Sequence, residues 1–298
     1  MERTERTMGA LIWLASYPKS GNTWMRSFLH NLFRNSHKPV SVNEIDDFCL
    51  SGSGAGWYKR YTSTPPAQLS EDEIARFRMQ VQRDFTSVFP DSVFVKTHDY
   101  LGEHNGVPLH NMDVTAGAIY IVRNPLDVVL SMAPHFGVSV EEAITALASE
   151  TAGTTTNDQH VAEHYGSWST HVRTWTRHPS PGLLVMRYED MLDKPRKSFK
   201  AVVNFLGLKP SSERLERAIK FSSFKVLKAQ EEKEGFKERP QTSKSFFREG
   251  KRDQWREKLT PDQVRRIISA HHEQMARFGY IPEDYRDSIP EGAERADN

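Results

Sequence analysis

Residues Gly9-Ala-Leu-Ile-Trp-Leu-Ala15 form a short apolar run that ends in the loop Ser16-Tyr-Pro-Lys-Ser-Gly21. Beyond it Trp24, Phe28 and Leu32 recur at helical spacing, with Met25 and Leu29 beside them. The pattern predicts strand, loop and helix in direct succession. A helix N-terminus presents unpaired N–H groups and a partial positive charge, so a loop carrying Lys19, Ser20 and Thr23 at that point suits a phosphate or sulfate. The loop departs from Walker A spacing, because Lys19 precedes its only glycine by two positions. An ordinary nucleotide triphosphatase is therefore disfavoured.

Apolar runs and helical stretches continue to alternate along the chain. Ser92-Val-Phe-Val95, Gly117 to Val122 and Gly182 to Arg187 read as further strands. Ser70-Glu-Asp-Glu73, Ser139 to Glu142 and Thr260-Pro-Asp-Gln263 are capping boxes that open helices, while Asn124 and Pro125 supply a cap and a first helical residue. Residues 161–177, with Tyr165, Trp168, Val172 and Trp175, are expected to form one longer helix, and residues 195–206 another. Residues 35–66 lack periodicity and read as a long irregular excursion of the kind that forms lids. Strands joined through helices imply an α/β fold with a mostly parallel central sheet and helices on both faces. Ligands of such sheets sit beyond the carboxyl ends of the strands, which directs attention to residues 16–23, Lys96 to His98, Arg123 and Tyr188. The 298 residues suit one domain over 1–298, with 1–8 and 288–298 expected as flexible tails.

Forty basic against thirty-nine acidic residues leave a net charge of +1, which offers no global footprint for nucleic acid or an anionic membrane. Any anion site must be local. The apolar stretch Ala10 to Ala15 is too short for a signal-peptide core or a membrane span. Cys49 is the sole cysteine and cannot form an intramolecular disulfide, which favours a reducing, cytoplasmic setting. No His, Asp or Glu grouping has metal-ligand spacing, so no metal is expected.

Tyr17-Pro-Lys-Ser-Gly-Asn-Thr-Trp24 resembles the 5'-phosphosulfate loop of the cytosolic sulfotransferase family, whose donor is 3'-phosphoadenosine 5'-phosphosulfate (PAPS). Four further segments resemble that family in order: Ile119 to Ser131, Arg187-Tyr-Glu-Asp-Met191, Ser222 to Lys228, and Phe246-Phe-Arg-Glu-Gly250 followed by Trp255. The resemblance implies a P-loop-like phosphosulfate site of Lys19, Ser20, Gly21, Asn22 and Thr23, and a 3'-phosphate site of Arg123, Ser131, Arg248 and Gly250. It places Trp24 and Phe224 on the faces of the adenine, Tyr188 at its edge, and Ser222, Leu227 and Phe247 around it. Lys19 would stabilise the leaving phosphate, with Ser131 beside it in the catalytic set. His98, in Val95-Lys-Thr-His98, resembles the catalytic base. Lys96, two residues away on the same strand face, could hold that imidazole neutral.

The late motif departs from the family pattern at Glu249, Asp253 and Arg256, and Glu249 would repel a 3'-phosphate unless its side chain turns away. The family's dimer motif survives only as Arg256, Thr260, Pro261 and Arg265, and assigns no oligomeric state. Loops 49–66 and 133–160 are expected to line the acceptor pocket, and Trp57, Tyr58 and Tyr61 suggest an apolar or ring-containing small molecule, although they could equally fold down as loop anchors. The principal reading is a sulfotransferase acting on a hydroxyl or amine by in-line displacement. A P-loop-like small-molecule kinase and a nucleotide-binding relative without catalysis are the alternatives.

Overall fold

The computed structural model describes residues 9–288; the expected tails, Ser288 apart, lie outside the described residues. In chain order, β1 (Ala10–Ser16), α1 (Asn22–Arg34), β2 (Cys49–Ser51), α2 (Glu71–Phe85) and β3 (Ser92–Thr97) come first. A small hairpin of β4 (Glu103–His104) and β5 (Val107–Pro108) leads into β6 (Thr115–Val122), α3 (Pro125–Phe136), α4 (Val140–Ala148), α5 (Trp168–Thr176) and β7 (Leu183–Arg187). The helices α6 (Tyr188–Asp193), α7 (Pro195–Phe205), α8 (Ser212–Phe221), α9 (Phe224–Glu234), α10 (Trp255–Lys258) and α11 (Pro261–Arg277) follow.

The central sheet has the order β2-β3-β1-β6-β7, and every neighbouring pair is parallel. Because strand side chains alternate, Leu11, Trp13 and Ala15 of β1 join one core with Val95, Tyr120, Val172 and Ile267. Ile12 and Leu14 join another, with Met25, Phe28, Ile119, Phe199 and Leu215. Helices thus cover both faces, as the apolar runs imply. All three expected capping boxes form, at Ser70, Ser139 and Thr260.

Two segments differ from expectation. The helix expected over 161–177 begins only at Trp168, capped by the Ser167 hydroxyl, which accepts from the Thr170 N–H. Gly166 adopts a left-handed φ of 62°, and the preceding residues are extended, with Val161 N bonded to Ser53 O and Tyr165 N to Ala152 O. Tertiary pairing with residues 152–154 therefore overrides the aromatic periodicity. The excursion over 35–66 is less irregular than expected: 3-10 turns flank β2, which pairs along β3 from Cys49 opposite Phe94 to Ser51 opposite Lys96.

Candidate functional site: a cleft at the carboxyl ends of the strands

The loop after β1 owes its shape to two left-handed residues, Lys19 (φ 66°) and Gly21 (φ 108°). A Cβ on Gly21 would lie 2.8 Å from the Tyr188 ring, so a glycine lets the loop rest on that ring. Asn22 ties the start of α1 back to β1 by donating to Leu14 O at 2.8 Å. Arg123, at the end of β6, donates to Lys19 O at 2.8 Å and lies 4.3 Å over the Tyr188 ring. The Lys19 ammonium sits 3.8 Å above Phe246 and 3.2 Å from His135 Nδ1. Burial, and then the nearby Arg123 and Arg248, bring the Lys19 pKa down to about 7. An anion set among these three cations would relieve their repulsion. Ser20 Oγ, Trp24 Nε1 and Arg123 Nε are buried with no hydrogen-bond partner among the described residues. These unmatched donors fit an anionic nucleotide, since burying them unpaired is costly.

Further along the cleft, Ser131 lies on α3 and Arg248 is held by donation to Leu130 O at 2.9 Å. Asp127, in the first turn of α3, accepts from the backbone N–H groups of Asp253 (2.7 Å) and Trp255 (3.1 Å), which latches the late glycine segment onto that helix. Gly250 has φ 60°, and a side chain there would run into the Phe224 ring. Trp24, Phe224, Leu227 and Phe247 line the same wall. Ser222 does not reach the cleft. It is wholly buried and its hydroxyl donates to Ala218 O at 2.9 Å, satisfying the last turn of α8. Glu249 is turned to Lys258 at 2.5 Å, Asp253 to Arg252 at 3.5 Å, and Arg256 to Asp284 at 3.6 Å. Glu249's charge is thus matched locally.

His98 follows β3 and its Nδ1 lies 2.7 Å from Ser16 O. Burial, then the Lys96 charge, hold its pKa well below the usual imidazole range, against the raising effect of that hydrogen bond. Behind it, His171 Nε2 meets His98 O at 3.1 Å and Tyr120 OH meets His171 Nδ1 at 2.8 Å, so a second imidazole braces the His98 backbone. Lys19, Gly21, Asn22, Thr23, Lys96, His98, Arg123 and Arg248 share one cleft of about 930 Å³, whereas Ser20 is wholly buried and does not line it. Trp57 packs on Phe85, Tyr58 is buried and Tyr61 stacks on Phe77, so these three are loop anchors rather than pocket walls. The segment 133–160, expected as a loop, includes the end of α3 and all of α4, and it reaches the cleft through His135 and Phe136 of α3 and Thr154, Gln159 and His160 of the loop after α4.

Sequence reasoning passed over Arg26, Glu238 and Glu163. Arg26 is buried and grips Glu238 with two 2.7 Å bonds. Burial would raise the Glu238 carboxyl, but Arg26, and then Lys96 and His98, carry it down to about 2. An arginine inside the apolar stripe of α1 was the available signal. Glu163 lines the cleft from the extended stretch misread as helix.

Among the described residues there is no group of three or more His, Cys, Asp or Glu placed to hold a metal ion, and no helix is long and apolar enough to cross a membrane. Comparison with known proteins agrees with the geometry. The sulfotransferase domain family matches residues 10–279. Rat sulfotransferase 2A2 is 31% identical over 275 residues, covering 89% of this chain and 84% of the relative, and rat sulfotransferase 2A6 is 30% identical over 91% and 87%. Among solved structures, mouse sulfotransferase SULT7A1 complexed with PAP shares the fold at a TM-score of 0.59, with 22% identity and coverage of 89% and 84%. Retinol dehydratase in complex with androsterone and inactive cofactor PAP gives 0.60, with 17% identity and coverage of 89% and 80%. The family match over residues 10–279 and the relatives at 30% identity or more show that the chain belongs to the sulfotransferase family.

Proposed function

We infer that the cleft transfers the sulfuryl group of PAPS to a hydroxyl of a small-molecule acceptor, with Lys19 and His98 on opposite sides of the transfer. The enzyme is a sulfotransferase by family, and the observation that carries the residue assignment is that Lys19, Arg123, Arg248 and His98 line one cleft, with His98 held by Ser16 O where the Lys19 loop begins. When bound, the donor supplies the reactive sulfur and a phosphate leaving group.

Arg123, Ser131 and Arg248 hold the 3'-phosphate, since guanidinium donors match a phosphate dianion well. The first turn of α1, with Asn22 and Thr23, and Ser20 in the loop before it direct donors at the 5' end. Trp24, Phe224, Leu227, Phe247 and Tyr188 enclose the base. Ser222 supports this wall from the C-terminal cap of α8, where its hydroxyl is taken by Ala218 O. Lys19 meets the electron pair that the phosphate oxygen gains as its bond to sulfur breaks. A carbonyl only accepts, so Ser16 O fixes the proton of His98 on Nδ1. His98 Nε2 then takes the acceptor's hydroxyl proton while the new oxygen–sulfur bond forms. Lys96 keeps that imidazole neutral.

The chain is one domain in this reading, because a single sheet carries both the Lys19 loop and His98. We place the reaction in the cytoplasm on the composition and the buried, lone thiol of Cys49, whose pKa burial raises to about 12. A kinase would need an acidic residue to hold Mg²⁺, and the Lys19 loop lacks Walker spacing. Thermal-shift comparison of 3'-phosphoadenosine 5'-phosphate (PAP) with ATP and Mg²⁺ tests the assignment. PAP alone should stabilise the protein strongly, and preference for ATP with Mg²⁺ would overturn it.

A further inference from the structure

The acceptor end of the cleft contains a charged side chain that the fold leaves unsatisfied. Glu163 is only 7% exposed, yet it lines the cleft and its Oε1 has no hydrogen-bond partner among the described residues. Its other oxygen receives a single long bond, from Tyr165 OH at 3.4 Å. A buried carboxylate left in this condition is destabilising unless something else donates to it. The backbone around it is fixed rather than adaptable. Glu163 N donates to Thr154 Oγ1 at 3.0 Å, Thr154 N returns a bond to Glu163 O at 2.9 Å, and Gly153 admits that pairing because it has no Cβ to strike Glu163 O. Next to it Asp99 is pushed up to about 7, first by burial and then by the Glu163 charge.

Resting on the reading of the His98 end as the acceptor end, we propose that Glu163 selects a neutral, hydroxyl-rich, sugar-like acceptor by accepting a hydrogen bond from one of its non-reacting hydroxyls. Thr154, Gln159 and Ser51 give the same end of the cleft further polar groups, whereas Trp57, Tyr58 and Tyr61 are folded away from it. A cationic acceptor fits less well, because lysines and arginines outnumber carboxylates along the cleft. An apolar alcohol would cover Glu163 and leave it unpaired, which a site of this kind penalises.

The test compares methyl glucoside with 2-naphthol as acceptors for the full chain and for Glu163→Gln and Glu163→Leu, alongside PAP binding. Wild type should sulfate the glucoside with the higher kcat/KM. Glu163→Gln, which keeps the shape, should raise KM for the glucoside about tenfold, the scale of one hydrogen bond to a charged group, with kcat and PAP affinity nearly unchanged. Glu163→Leu should shift preference towards 2-naphthol. An unchanged glucoside KM in both variants overturns the proposal, as does a wild type that sulfates 2-naphthol but not the glucoside. In that second case the sulfotransferase reading stands. Failure to bind PAP or to sulfate either compound would instead overturn both.

Discussion

The Nδ1 of His98 lies 2.7 Å from the carbonyl oxygen of Ser16, the last residue of β1. Two neighbouring strands thereby fix the tautomer of the residue assigned as base, and the same turn of chain goes on to form the Lys19 loop. The two ends of the reaction are therefore linked through β1 itself. This geometry sets the pH response. His98 is held well below its usual pKa by burial and Lys96, so it remains an unprotonated base at neutral pH. Turnover should show no loss across pH 6.5 from this group, and its acid limb should lie well below. A rate that halves near 6.5 and whose midpoint moves in Lys96→Met would place the imidazole in a more solvated setting than the structure does.

Lys19 responds in the opposite sense. Its pKa is lowered from 10.5 to about 7 by burial and then by Arg123 and Arg248. A bound dianion favours the ammonium and raises the pKa again, so binding at pH 8 must take up protons from the buffer. Calorimetry of PAP binding in two buffers of different ionisation enthalpy should detect that uptake, and Lys19→Ala should remove it. The same variant should lower kcat by on the order of a hundredfold, more than it weakens donor binding. A change confined to the KM for donor would make Lys19 a binding residue only.

Arg123 serves both ends of the loop, through Lys19 O and the Tyr188 ring. Arg123→Ala should weaken PAP binding by about 1.5 to 3 kcal/mol. Nucleotides without the 3'-phosphate should be much less affected. Equal losses for both would move the 3'-phosphate away from this guanidinium.

Gly250 is held at φ 60° against Phe224. Gly250→Ala should cost about 1 kcal/mol or more of stability, through strain at a left-handed position, and should also shift Phe224 into the nucleotide slot. Circular dichroism and PAP titration separate the effects: a folded variant with PAP affinity intact would show that the wall is adaptable.

The pair of buried Arg26 with the partly exposed Glu238 predicts a pH window for stability. The Glu238 carboxyl is held at about 2 in the folded protein against an ordinary 4.5, so its stabilisation is complete above 4.5 and is lost as pH falls from there to 2. Glu238→Gln should cost about 1 to 3 kcal/mol at pH 7, because the buried guanidinium loses its nearer carboxylate and keeps only Asp46 at 3.5 Å. Urea unfolding of both proteins at pH 7 and pH 3 should show that difference narrowing at the lower pH.

The strand ends and the capping boxes were legible because their causes are local. An apolar run followed by a hydroxyl, a lysine and a glycine needs no distant partner, and Ser139 finds its Glu142 three residues on. The residues that escaped reading depend on distant contacts. Arg26 and Glu238 are 212 residues apart in sequence, and β2 is a three-residue strand that exists only as an extension of β3. Ser222 looked like a nucleotide contact by its place in a motif, but the sequence does not reveal that its hydroxyl is taken by Ala218 O. Over 161–167, Gly166 and Ser167 carried the stop and start signals, and the spacing of Tyr165 with Trp168 masked them.

Transfer of labelled sulfate from PAPS to a hydroxyl acceptor, by wild type and by His98→Ala at matched PAP occupancy, tests the central assignment most directly. Wild type should transfer label with EDTA present, and His98→Ala should bind PAP as well while transferring a hundredfold to ten-thousandfold more slowly, within the range of general base catalysis. A His98→Ala protein that sulfates a weakly acidic alcohol at the wild-type rate would contradict it.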